Sequence, residues 1–119
     1  MSRLVTVAAA QMGPVGRTET RAEVVERLIA MLRDAADRGA ELVVFPELAL
    51  TSFFPRWDLT DEEVLTFFEA EMPGADTKPL FDEAHRLGVG FHLGYAELTP
   101  DGHRYNTAIL VERDGRVVA

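Results

Sequence analysis

The stretch Glu41-Leu-Val-Val-Phe-Pro-Glu-Leu-Ala-Leu-Thr-Ser-Phe-Phe-Pro-Arg-Trp57 decides the fold. It opens on an unbroken apolar run, Leu42 to Phe45. A run without polar alternation predicts a strand covered on both faces, as parallel strands of α/β domains are. Pro46 ends the ladder because it has no N–H to donate. Glu47 is the first residue past that stop, at the carboxyl end of a buried strand, where open α/β sheets place ligand chemistry. Apolar walls there would disfavour the charged carboxylate and raise its pKa toward general-base duty. The alternative is a strand-end Glu that caps a helix or faces water. Beyond it, Leu48, Leu50, Phe53, Phe54 and Trp57 make an unusually apolar loop. Exposing them would cost about 25 cal/mol per Å² of apolar surface, so they are expected to line a pocket or meet another part of the protein.

Upstream, Leu4 to Gln11 predicts a first strand, and Met12-Gly-Pro-Val-Gly16 a loop. Thr20-Arg-Ala-Glu23 matches a capping box, so a helix should start near Arg21. Val24, Val25, Leu28, Ile29, Leu32, Ala35 and Ala36 form its apolar stripe, and Gly39 its stop. Strand, helix, strand in this order predicts a βαβ unit with parallel strands and a right-handed crossover.

Downstream, a second capping box, Thr60-Asp-Glu-Glu63, predicts a short helix through about Ala70. Met72-Pro-Gly74 breaks it, and a third helix is expected from Lys78 to Leu87 with Asp76 or Thr77 as its cap. Val89 to Leu98 then reads as a strand whose second face, Gly90, His92, Gly94 and Ala96, is small enough for tight packing. Pro100-Asp-Gly102 is turn chemistry, Tyr105 to Val111 a strand, and Asp114-Gly115 a hairpin signal before a return strand from Arg116.

The 119 residues fit one domain at most, and a 47% hydrophobic, 27% charged composition is that of a globular protein. A net charge of −8 argues against nucleic acid as a partner, whose phosphates need Lys and Arg. No apolar run approaches a membrane span, and the first residues lack the apolar region of a signal peptide, so a cytoplasmic location and no membrane partner are expected. The absence of cysteine removes disulfides and thiolate metal sites within the chain. His85, His92 and His103 show no metal-ligand spacing. Only Ser2 and Ser52 are serines, and neither sits in a nucleophile elbow. Phe53, Phe54 and Arg56 are candidates to border a substrate, with core packing as the alternative. Tyr95, Glu97 and Asn106 are expected to be sheet or hairpin hydrogen bonders.

Three blocks carry a resemblance: Ala9-Ala-Gln-Met-Gly-Pro14, then Val43-Val-Phe-Pro-Glu-Leu-Ala-Leu-Thr-Ser-Phe-Phe-Pro-Arg-Trp57, then Leu93-Gly-Tyr-Ala-Glu97 with Tyr105-Asn-Thr-Ala-Ile-Leu110. In that order and spacing they resemble the nitrilase superfamily, the carbon–nitrogen hydrolases. The continuation Ala49 to Trp57 is similar to the branch of N-carbamoyl-D-amino acid amidohydrolases. The resemblance implies the N-terminal part of an α-β-β-α sandwich, a mixed sheet with a βαβ start and a C-terminal hairpin. Residues 1–119 would be a single partial domain that ends before two of the three catalytic residues. Of the Glu, Lys and Cys that such enzymes use, it carries over only the Glu, onto Glu47, as general base. Lys78, the one lysine, does not match the family's position, and the chain has no Cys. The resemblance further implies an N-carbamoyl-D-amino acid as small-molecule substrate, no cofactor, no metal, and assembly into a homo-oligomer; Phe53 and Phe54 are the candidates to bind that substrate. Another amidase of the superfamily, a β-ureidopropionase, or a non-catalytic binding or assembly module are the alternatives.

Overall fold

The computed structural model describes residues 2–119. Its frame is a four-stranded sheet in the order β1 (Val7–Ala9), β2 (Leu42–Val44), β3 (Gly90–Leu98), β4 (Arg104–Val111). The first three strands run parallel, and β4 pairs antiparallel to β3. The α/β class, the βαβ start and the C-terminal hairpin are those predicted from the sequence. Beyond Gly115, at φ 86°, the chain turns back and bridges Val117 to Val111.

Helix α1 (Arg21–Asp37) starts where its capping box places it: Thr20 Oγ1 accepts from Glu23 N–H, and the Glu23 carboxylate accepts from Thr20 N–H. Gly39 follows its end in a left-handed conformation, at φ 86°. Helix α3 (Lys78–Leu87) ends the same way at Gly88 and packs against α1. Thr77 before it is fully buried, its hydroxyl accepting from Gly74 N–H at 2.8 Å. Glu83 of α3 ties the two helices, accepting from Arg33 of α1 at 3.1 Å and from Arg86. These partners, Arg86 first, hold the Glu83 carboxyl down at about 2.

Both helices cover one face of the sheet. Val25, Leu28 and Leu32 of α1 and Leu80, Phe81 and Ala84 of α3 share a core with Val43, Phe91, Leu93, Ile109 and Val111. Phe91 has no exposed surface, and its ring meets those of Phe81 and Phe45 edge-on at centroid distances of 5.1 and 6.1 Å.

Three elements differ from the sequence expectation. The first strand is three residues long, not eight, because β2, its one partner, offers only Leu42 to Val44. Leu4 is consequently 93% exposed. β2 is covered on one face only: Val43 is buried, while Leu42 and Val44 on the opposite face are half-buried. Helix α2 (Asp61–Leu65) stops five residues short of Ala70. There the chain leaves helical geometry to set Phe67 and Phe68 against Phe54, at ring distances of 4.8 and 5.6 Å. Glu69 then pairs with β3, donating its N–H to Ala96 C=O at 2.8 Å.

Candidate active site

One edge of β3 receives three partners in succession. β2 takes Gly90 to His92, and Glu69 takes the stretch around Glu97. Between them the chain arches over Gly94. Phe45 N–H donates to His92 C=O and Ala49 N–H to Gly94 C=O, both at 2.9 Å, so residues 46–48 form a bracket fixed at both ends. The bracket presses on Gly94 itself: a Cβ there would stand 2.9 Å from Glu47 Cα and 3.0 Å from Pro46 O. The small second face of the strand thus holds the Glu47 turn.

Leu48, the next residue, has φ 46°, a left-handed conformation that costs a non-glycine residue on the order of 1–3 kcal/mol. It is held there by the flanking hydrogen bonds and by a buried side chain packed with Phe54 and Ala96. The strain therefore sits beside Glu47, in a turn whose neighbours leave it little choice.

The Glu47 side chain is exposed, and its Oε1 accepts a hydrogen bond from Asn106 Nδ2, 59 residues further on. Of the two readings that the sequence left open, residues 2–119 give the water-facing one and not enclosure by apolar walls: the carboxylate stands at the rim of two cavities. The first, about 250 Å³, is lined by Met12, Pro14, Thr51, Ser52, Arg56 and Trp57. The second, about 330 Å³, is lined by Phe53, Phe54, Phe68, Arg104, Tyr105 and Asn106. Thr51 Oγ1 and Ser52 Oγ are buried with no hydrogen-bond partner among the described residues. Arg104 lies over the Phe68 ring and Arg56 over Trp57. Neither arginine makes an ion pair among the described residues.

The two candidate aromatics have different surroundings. Phe53 is 57% exposed and lines both cavities. Phe54 is buried under Phe67 and Phe68, and its main contacts are packing contacts. Glu97 behaves as expected, accepting from Thr107 Oγ1 at 2.8 Å across the strand pair. The Tyr95 hydroxyl is pushed up by burial and then by the charges of Glu97 and Glu69. Asn106, read from the sequence as a sheet hydrogen bonder, instead reaches Glu47. Its signal was a lone polar amide on the small face of the hairpin, opposite Ala96. His103 pairs with Asp101 in the turn at 3.0 Å, and half-buried His92 has an unpartnered Nδ1. Among the described residues no group of three His, Asp or Glu side chains is arranged to hold a metal.

A sequence model of the carbon-nitrogen hydrolase family matches residues 6–119. The chain belongs to that family. The chain is 29% identical over 126 residues to Nitrilase 2 of an unknown prokaryotic organism, covering 96% of the chain and 38% of that relative. It thus spans under two fifths of the relative's length. Its fold matches the crystal structure of a carbon-nitrogen hydrolase from Helicobacter pylori G27 with a TM-score of 0.80 at 20% identity, over 97% of this chain and 38% of that one. An amidase from Nesterenkonia sp. matches at TM-score 0.67 and 22% identity, over 97% and 41%. An N-terminal amidase with a Gln-Val peptide matches at 0.75 and 18%, over 97% and 27%. At these identities the structural matches establish the shared α/β fold. No helix of the described residues is long and apolar enough to cross a membrane.

Proposed function

We propose that the protein to which residues 1–119 belong hydrolyses the carbamoyl C–N bond of N-carbamoyl-D-amino acids, with Glu47 as general base. The observation that carries this is the fixed carboxylate: Glu47 is bracketed by two backbone hydrogen bonds, seated on Gly94 and held by Asn106 at the rim of two cavities. A base held within reach of a cavity can take a proton from a nucleophile and return it to a leaving nitrogen.

The nucleophile is not in this chain, which has no cysteine. In the family resembled it is a Cys thiol, with a Lys for the oxyanion, and both would come from beyond residue 119. Glu47 takes the thiol proton as sulfur bonds to the carbamoyl carbon. The Lys stabilises the charge that develops on oxygen. The C–N bond breaks with the proton delivered to the leaving nitrogen, and water, deprotonated by Glu47, releases the remaining acyl group. One water per substrate yields the D-amino acid, ammonia and carbon dioxide.

One feature supports a carboxylated substrate over a plain amide, and a second supports an apolar side chain on it. Arg56 and Arg104 line the cavities beside Glu47 and have no ion-pair partner among the described residues. Phe53, exposed between the same cavities, offers apolar surface to a side chain. Residues 1–119 alone, with a base and no thiol, are expected to release no ammonia.

The test uses the complete gene product against N-carbamoyl-D-amino acids, N-carbamoyl-L-amino acids, simple amides, nitriles and peptides with N-terminal Asn or Gln. Turnover of the D-carbamoyl compounds with a loss of about 10²–10⁴-fold in E47Q is the expected result, the range that a positioned base contributes. Preference for an amide, a nitrile or a peptide would overturn the substrate assignment and leave the family intact.

A further inference from the structure

The Glu47 carboxylate and the Asn106 amide meet through the register of the sheet. Asn106 of β4 stands opposite Ala96 of β3, two residues along the same face from Gly94. Gly94 lets the Glu47 backbone sink onto β3, since a Cβ there would meet Glu47 Cα at 2.9 Å. Asn106 Nδ2 then donates to Glu47 Oε1, the one hydrogen bond to that side chain among the described residues. No cation pairs with Glu47 among them either.

The type of partner matters. An arginine or lysine at this distance would favour the charged carboxylate strongly and weaken it as a base. A second carboxylate would do the opposite and keep a proton on the pair. A primary amide fixes the geometry with a single neutral N–H donor. It also cannot take the proton, because Nδ2 only donates.

We propose that Asn106 is the positioning residue for Glu47: its amide occupies Oε1 and leaves Oε2 as the atom that takes and returns the proton. The inference rests on Glu47 acting as general base, and it adds the group that orients that base. During the step the O–H bond forms at Oε2, the attacking atom loses its proton, and the Asn106 N–H stays on nitrogen throughout. Residue 106 is exposed on a strand, so its replacement leaves the core untouched.

The experiment compares the pH dependence of kcat/KM for the complete gene product and its E47Q, N106A and N106D variants. N106A is expected to keep KM within about threefold and to lose roughly 10- to 100-fold in kcat, the scale of a misplaced reacting group. N106D is isosteric and carries the test if N106A fails to fold. With a like charge beside Glu47, its acidic limb should move up by on the order of one pH unit. If E47Q abolishes activity while both Asn106 variants keep the parent's kcat and acidic limb, the positioning role is wrong and Glu47 stands. If E47Q retains activity, the general-base assignment fails and the positioning role fails with it. A structural role alone would lower the yield of folded enzyme without moving the limb.

Discussion

The two faces of the sheet are built on different principles. The face under α1 and α3 is large side chains meeting large side chains: Phe91, Leu93, Ile109 and Val111 close against Leu28, Leu32, Leu80 and Phe81. The opposite face is built by subtraction. Gly90, Gly94 and Ala96 remove side-chain volume from β3, and a strained turn and an amide fill part of the space. The first face holds the chain together. The second decides where a carboxylate stands. Substitution should therefore separate them, with stability following one face and activity the other.

The largest stability effect belongs to the helix face. Phe91→Ala removes a ring with no exposed surface from between Phe45 and Phe81. A loss of about 3–5 kcal/mol is expected, from transfer and cavity terms together. Against a total of roughly 5–15 kcal/mol this brings the fold near its limit. Urea unfolding of the complete protein measures it, and a loss under about 1 kcal/mol would mean that this core is not the main one.

The opposite face is best broken at Gly94. Gly94→Ala places a Cβ 2.9 Å from Glu47 Cα, so the bracket must move. Overpacking of this kind costs about 1–3 kcal/mol. Gly90→Ala is the control on the same strand: its Cβ would meet Val111 O at 2.8 Å, far from residue 47 in the ladder. Similar melting temperatures are expected for the two. The folded Gly94 variant should lose roughly 100-fold in kcat/KM, while folded Gly90 variant keeps most of it. Equal activities would detach the Gly94 contact from function.

The same division explains what the sequence could show. α1 and α3 were legible to within a residue, because an apolar stripe, a capping box at Thr20 and glycines at 39 and 88 all act locally. Pro46 marked the end of β2, and Glu47 was visible as the residue after it. The length of β1 was not legible, since it depends on how much ladder β2 offers. The end of α2 was hidden too: Phe67 and Phe68 continue a helical pattern, but a stacked contact with Phe54 outweighs it. Within the site, the bond from Asn106 to Glu47 spans 59 residues and depends on strand register, turn geometry and a missing Cβ at once. No local pattern encodes that conjunction. The exposure of Glu47 was one of two readings that the sequence left open, because burial depends on what lies opposite and not on the apolar residues that precede it.

The smallest effect sharpens the comparison from the helix side. Glu83 ties α3 to α1 through Arg33 and is held by Arg86 on its own helix. Its carboxyl sits near 2 in the folded chain against an ordinary 4.5. A depressed folded value means that the charged form stabilises the fold. The contribution is complete above about pH 4.5 and is lost as pH falls toward about 2. Both arginine heads are largely exposed, at 58% and 65%, which limits the gain to about 1 kcal/mol. Glu83→Gln should therefore melt slightly lower than the parent at pH 6, and the gap should close between pH 4.5 and 2.5. High salt should narrow it at pH 6, as it does for exposed ion pairs. The kcat/KM of this variant at pH 7 should match the parent's, because nothing on the helix face touches Glu47. A change in activity with unchanged melting would mean that the two faces are coupled through β3 more tightly than their packing suggests.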